Sequence, residues 1–270
     1  MPVARALLYA ASLGAIALVA RSLLVGPIPV AAACAAIVGY LALVLCGVFF
    51  LGLGMFVDVV RRGPPGARGV ALTFDDGPSP EHTPEVLDLL DRAGVKATFF
   101  VIGRKAEAHP DLVRAIAARG HAIGLHGHAH DRLFALRSSR VVERDLARGL
   151  EVLERITGER PTLFRPPIGH TSPRIARAVD ALGLDVIGWS ARGFDGLPGA
   201  SPEGVAARVI PGLRDGAIVL LHDAAERDDH APAGVAALPR ILAAMGQRNL
   251  AGVRVDAWLD EGGGDDIVTR

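Results

Sequence analysis

Two adjacent carboxylates, Asp75 and Asp76, close the apolar run Val70-Ala71-Leu72-Thr73-Phe74 and are followed by Gly77-Pro78. About fifty residues later His126 and His130 stand four positions apart. One carboxylate and two imidazoles suit a divalent cation such as zinc and leave positions open for water and substrate. The other carboxylate is then free to act as a base. The chemistry implied is metal-assisted hydrolysis. Neither half says so alone: Asp-Asp-Gly-Pro is a common turn, because Asp caps, Gly reaches positive φ and Pro stops a strand. The run Gly120 to His126 reads as a short strand, so both halves fall where a strand ends and a loop begins. In α/β folds that is where chemistry is placed.

The elements that must carry these residues alternate along the chain. Strand patterns cover Val70–Phe74, Ala97–Ile102, His121–Leu125, Leu163–Arg165, Asp185–Trp189, Ala217–Leu221 and Val253–Ala257. Helical patterns cover Pro84–Ala93, Pro110–Arg119, Ser139–Thr157, Pro173–Leu182, Pro202–Leu213 and Gly234–Arg248. Seven strands separated by six helices predict one parallel α/β domain. Periodicity does not choose between an open sheet and a barrel. The domain is expected over 69–260, about 190 residues and enough for one core. Residues 261–270, with Glu261-Gly262-Gly263-Gly264, read as a C-terminal tail.

Before this domain lie two apolar stretches, about 6–25 and 30–57, within residues 1–60. The first is interrupted only by Arg21 and the second carries no charge, and a helix needs about 20 residues to cross the hydrocarbon core. Gly26-Pro27-Ile28-Pro29 breaks the helix between them, which predicts a transmembrane hairpin rather than a cleaved signal peptide. Cys34 and Cys46 both lie in the second stretch, where Cys behaves as a small hydrophobe. A basic Pro/Gly linker spans 61–68. Residues 1–57 hold Arg5 and Arg21 and no acid, so the remainder has 27 basic against 29 acidic residues. Such a balance offers no field for nucleic acid.

Five ordered segments make the reading specific: Thr73 to Pro78, His126-Gly127-His128-Ala129-His130, Arg165-Pro166-Pro167-Ile168-Gly169, Trp189 to Asp195, and Leu220-Leu221-His222-Asp223. In this order they resemble the five motifs of the polysaccharide deacetylase family (carbohydrate esterase family 4, the chitooligosaccharide-deacetylase homology domain), the fourth loosely. The resemblance covers roughly Gly69 to Leu259. It implies a distorted seven-stranded (β/α) barrel and one divalent metal ion, expected to be zinc, on Asp76, His126 and His130. It makes Asp75 the general base, Arg165 the partner of that base, His222 the general acid and Asp195 the carboxylate that orients and charges His222. The backbone amide of Ile168 would stabilise the oxyanion, and Leu221 would help line an acetyl-sized pocket.

The chain also departs from the family pattern. Ile168 stands where an aromatic is common, Ser190 and Arg192 where acids are frequent, Gly196 where tryptophan is common, and Gly127 in place of a hydroxyl residue. A groove with fewer aromatics suits a shorter substrate than a polymer. His82, His109, His121, His128, His170 and His230 are expected to be capping, supporting or surface residues.

The activity implied is removal of an N-acetyl or similar small acyl group from an amino sugar in a glycan or glycolipid. An O-deacetylase on a glycan ester, or an inactive carbohydrate-binding membrane module, would share the fold. The expected place is the bacterial inner membrane, with the lipid bilayer as a partner. If both stretches span, Arg5, Arg61, Arg62 and Arg68 share one side against Arg21, which by charge alone puts the domain in the cytoplasm. The family's habit of acting on cell-wall and extracellular polysaccharides points outward. The external face is the expectation adopted, because 61–68 is a weak topological signal in an Arg-rich chain.

Overall fold

A computed structural model describes residues 1–227 and 229–261, so the expected tail lies, past Glu261, outside the described residues. Helices α1 (Val3–Leu24) and α2 (Val30–Phe49) form an antiparallel-reading pair joined across Gly26, whose φ of 128° is open to glycine. Both are long and apolar enough to cross a membrane, by length and composition. No residue of α1 is buried, and on α2 only Gly47 and Val48 are. The second helix is shorter than the apolar stretch 30–57 suggested. After Phe49 the chain turns through Gly54 in a left-handed conformation, and Leu51, Met55 and Val59 are buried in the protein. Hydropathy cannot distinguish such a segment from a spanning one, since both are apolar.

Seven parallel strands follow: β1 (Val70–Asp75), β2 (Thr98–Val101), β3 (Ala122–Leu125), β4 (Leu163–Phe164), β5 (Asp185–Val186), β6 (Ala191–Arg192) and β7 (Ala217–His222). Their order across the sheet is β5-β4-β3-β2-β1-β7-β6, curled into a distorted barrel. Around it lie α3 (Thr83–Ala93), α4 (Gly103–Ala108), α5 (Pro110–Ala118), α6 (Ser139–Thr157), α7 (Pro173–Ala181), α8 (Pro202–Val209), α9 (Ala233–Gln247) and α10 (Val255–Glu261). Only Ile187 to Ser190 connects β5 to β6, with no crossover helix, and these two strands form the sheet's open edges. The expected linker helps bridge the opening. Val60, just before it, pairs with Ile187, and Arg62 within it pairs with Ala217.

One expected strand is corrected. Val253–Ala257 is not the seventh strand; that place belongs to Ala191–Arg192, too short to leave a periodic signal. The β-branched residues Val253 and Val255 suggested extension, but the segment forms no ladder: the Val253 N–H donates to the Val70 carbonyl at 3.0 Å, and the Val255 N–H donates to a side chain, Thr98 Oγ1, at 3.0 Å. Helix α10 then starts, and Val255 and Trp258, three apart on one helical face, fill the barrel interior.

Side-chain alternation sorts the strands into two cores. Val70, Leu72 and Phe74 of β1 and Val219 and Leu221 of β7 face the helices, in the larger apolar cluster. Ala71, Phe100, Leu163 and Ile218 face the barrel axis with Val60, Ile187 and Trp258. By the same alternation Thr73, Asp75, Leu220 and His222 belong to the inner face, at its C-terminal rim. Glycines let the layers close. A Cβ at Gly149 of α6 would lie 2.5 Å from a methyl of Leu125, and one at Gly124 would lie 2.6 Å from the Phe100 ring.

Candidate active site

Asp75 is the last residue of β1, and Asp76 leaves the strand with φ 70°. Simple alternation would aim neighbouring carboxylates at opposite faces. The left-handed residue instead turns Asp76 back, and both carboxylates meet His126: its Nε2 lies 3.8 Å from Asp75 Oδ2 and 3.5 Å from Asp76 Oδ1. His130, also left-handed at φ 51°, brings its Nε2 to 3.1 Å from Asp76 Oδ1. The turn beyond is tight, with a cis Gly77–Pro78 bond. Where Gly77 would carry a Cβ stands the carboxylate of Asp223, which accepts a 2.5 Å hydrogen bond from Thr83 Oγ1. Burial pushes the Asp223 carboxyl up to about 7.

The donor set fits a cation. One ligand atom each from Asp76, His126 and His130 lies within 4.8 Å of the others. His126 Nδ1 is 2.7 Å from the Arg165 carbonyl, which fixes its proton there and leaves the Nε2 lone pair facing the carboxylates. Asp76 Oδ1 is buried with no hydrogen-bond partner among the described residues, an orphan that a cation would satisfy. Burial opposes the charge on Asp76, yet the close imidazoles outweigh it and hold the carboxyl well below its usual range. Burial dominates at His126 and lowers its pKa, favouring the neutral ring a cation needs.

Arg165, just past β4, is fully buried. Its Nη1 donates to Asp75 Oδ1 and to Thr73 Oγ1, both at 2.7 Å. The remaining edge donates to the Ile187 carbonyl at 3.1 Å and the Gly188 carbonyl at 3.0 Å. Its face lies 4.1 Å from the Phe100 ring centroid and 5.8 Å from that of Trp189. Asp75 is thereby tied to a fixed cation and kept apart from Asp76.

His222 ends β7 at the mouth of the same cavity. Asp195 accepts from the His222 backbone N–H at 2.8 Å and lies 3.1 Å from its Nδ1. Burial works against the imidazolium, but Asp195 outweighs it, and the pKa of His222 is pushed up to about 9. Gly196 explains a departure noted in the sequence: a Cβ there would lie 3.1 Å from the imidazole. Ser190 likewise serves structure, its Oγ accepting from the Ile218 N–H at 3.1 Å.

The cavity holds about 550 Å³ and is lined by Asp75, Asp76, His126, His130, Ile168, Asp195 and His222, among others. Ile168 sits at its edge in a left-handed conformation (φ 52°), an outlier for a β-branched residue. Leu221 is the misplaced member of the expected set. It is fully buried on the helix side, while Leu220, on the same strand face as His222, lines the cavity. Two supporting carboxylates escaped sequence reasoning. Asp145 of α6 accepts from the backbone N–H groups of His128 and Ala129, at 2.8 and 3.0 Å, and so holds the loop between the histidines despite Gly127. Glu226, gripped by Arg132 at 2.6 Å, lies 3.6 Å from His130 Nδ1. Neither has a local signal; only the distance of four from His222 marks Glu226 as near. Of the other histidines, His121 accepts the Ala97 N–H at 3.1 Å and His170 stacks edge-on with Phe49.

The His222–Asp195 pair makes a pH prediction. A donor whose pKa is raised is present below that value and lost as pH rises through it. The Asp195→Asn variant removes the largest influence opposing burial and leaves only the more distant Asp76 and Asp75, so the alkaline limb of kcat/KM should move down, by on the order of two pH units. A bound cation's own charge lowers both limbs without changing the sign. A pH–rate profile of the two proteins checks this; superimposable alkaline limbs would contradict the pairing.

The family description Polysaccharide deacetylase matches residues 62–187. A peptidoglycan-N-acetylglucosamine deacetylase of Bacillus cereus is 37% identical over 182 residues, 66% of this chain and 82% of that protein. A chitooligosaccharide deacetylase of Sinorhizobium fredii is 36% identical over 202 residues, 72% of this chain and 93% of that protein. Among solved structures, a family 4 acetyl xylan esterase from Clostridium thermocellum in complex with a cobalt ion has a TM-score of 0.65 and 34% identity, covering 72% of this chain and 91% of its own. With relatives this similar over most of their own length, the chain belongs to the polysaccharide deacetylase family, carbohydrate esterase family 4.

Proposed function

We propose that this chain is a metal-dependent hydrolase that removes the N-acetyl group from an amino sugar, working on a two-helix membrane anchor with its catalytic domain on the external face of the bacterial inner membrane. The observation that carries the reading is the separation of duties between two carboxylates at one buried centre. Asp76 faces both imidazoles, and Asp75 is held by Arg165.

Asp76, His126 and His130 would hold the cation, and zinc suits a set of one carboxylate and two imidazoles. When bound, the cation supplies positive charge that acidifies water and offsets charge on the carbonyl oxygen. Asp75 takes the proton from the attacking water, whose oxygen bonds to the acetyl carbon. The Ile168 amide, at the cavity edge, donates to the oxygen on which charge develops. As the carbon–nitrogen bond breaks, His222 gives its proton to the departing amine, because an amide anion is too poor a leaving group to go unprotonated. Asp195 keeps that proton on His222 at neutral pH. Acetate and a free amino sugar result.

A second reading has its own support in the similarity to an acetyl xylan esterase. An alkoxide leaves more easily than an amide anion, so the two activities depend unequally on the acid. Acetate release should be seen from N-acetylglucosamine oligomers, and His222→Ala should lower it by a factor of 10²–10⁴, the usual worth of a general acid. Loss of ester hydrolysis should be smaller. A wild-type enzyme that cleaves only esters would decide for the O-deacetylase.

The anchor reading is tested on intact cells. In spheroplasts carrying the full chain, added protease should digest the catalytic domain without lysis. A domain protected until lysis would put it in the cytoplasm, as the arginine count alone suggests.

A further inference from the structure

The end of α2 is clamped to the loop that forms one wall of the catalytic cavity. The Thr171 N–H donates to the Val48 carbonyl at 3.1 Å, and Thr171 Oγ1 donates to the Gly47 carbonyl at 3.2 Å. The Phe49 and His170 rings meet edge-on with centroids 4.9 Å apart, and Val48 and Leu51 belong to the main core. Three residues before Thr171 is Ile168, at the cavity rim. If α2 stands in a bilayer, the cavity mouth is held close to the lipid surface by hydrogen bonds and packing, with no free tether between them.

Beside the charged Arg132, Arg227 and Asp229, three exposed apolar residues stand at the rim. Ile168, Phe194 and Leu197 all line the cavity and are 46%, 43% and 59% exposed. Ile168 and Phe194 are also held at positive φ, 52° and 56°, a strained conformation for bulky residues. Burial in the protein does not offset that strain, since both side chains stay half in solvent. Arg192 also lines the cavity and is exposed. It lies over the Phe194 ring at 4.0 Å and forms no ion pair among the described residues. A cation there has no charged partner of its own, and the cavity it lines is of small-molecule size, about 550 Å³.

We infer that the amino sugar this enzyme deacetylates is joined through phosphate to a lipid of the same bilayer: the sugar enters the cavity, the phosphate meets Arg192, and the first part of the lipid chain crosses Ile168, Phe194 and Leu197. Charge complementarity at Arg192, apolar rim residues kept at conformational cost, and a cavity wall fastened to α2 point to one occupant. A neutral wall polymer would use neither the cation nor the apolar edge. The inference rests on the deacetylase reading above and names its substrate.

The test uses the full chain, metal-loaded, in lipid nanodiscs. Three substrates are offered: polyprenyl-diphosphate N-acetylglucosamine in the same discs, UDP-N-acetylglucosamine in solution, and the soluble N-acetylglucosamine tetramer. Acetate release should show kcat/KM at least tenfold higher for the lipid-linked sugar than for either soluble one. Arg192→Gln and, separately, Leu197→Asp should each shrink that ratio at least fivefold, mainly through KM for the lipid-linked sugar. Equal or better efficiency on the tetramer overturns the inference and leaves the deacetylase reading standing. Equal efficiency on the UDP sugar also overturns it, since phosphate alone would then suffice. Acetate from none of the three, with the cation bound, defeats both.

Discussion

The fold around this site is organised by one buried charge. Arg165 sits inside the barrel with no exposure, and a guanidinium taken from water costs several kcal/mol unless its donors are met. Here Asp75 and Thr73 of β1 and the carbonyls of Ile187 and Gly188 meet them, with aromatic faces against its plane. These partners come from β1 and from the segment after β5, which lie on either side of β4 with two strands between β1 and β4. The barrel must therefore curl for the pair to form. Truncating one partner leaves the other buried and uncompensated, which in comparable pairs costs about 3–5 kcal/mol. Architecture and catalytic geometry share this contact, because the carboxylate that satisfies Arg165 is also the proposed base.

The rest of the centre follows from strand alternation modified at its ends. Inner-face positions deliver Asp75, Leu220 and His222 to one rim, and left-handed backbone at Asp76 and His130 turns two members of the candidate cation set inward beside them. Positive φ is uncommon for such residues, so the centre carries backbone strain that the surrounding hydrogen bonds hold in place. Asp145 of α6, and Asp223 and Glu226 of the segment after β7, do this holding.

Much of this was legible in the sequence. The apolar runs ending in Asp75, His126 and His222 located strand ends, and the ordered motifs named Asp75, Asp76, His126, His130, Asp195 and His222, which meet at one cavity. What was not legible has physical causes. Alternation alone gives no warning that Asp76 turns left-handed and rejoins the face of Asp75. Leu221 was expected at the pocket because it directly precedes His222 along the chain, whereas facing is read two residues apart, at Leu220. Val253–Ala257 had strand-forming residues, yet helical spacing of Val255 and Trp258 plugs the barrel. Helix α4 (Gly103–Ala108) is six residues long, below what periodicity detects. The apolar segment after Phe49 turned inward, and hydropathy could not reveal that the end of α2 before it is fastened to the catalytic loop.

The central claim is that Asp75 and Asp76, neighbours in sequence, do different jobs. Bound metal per chain and acetate release, measured together on Asp75→Asn and Asp76→Asn, test it most directly. Asp75→Asn should keep close to one cation per chain while turnover falls at least a hundredfold, as removal of a general base does. Asp76→Asn should lose cation and turnover together. Equal metal loss in both variants, or near-normal turnover in Asp75→Asn, would contradict the division.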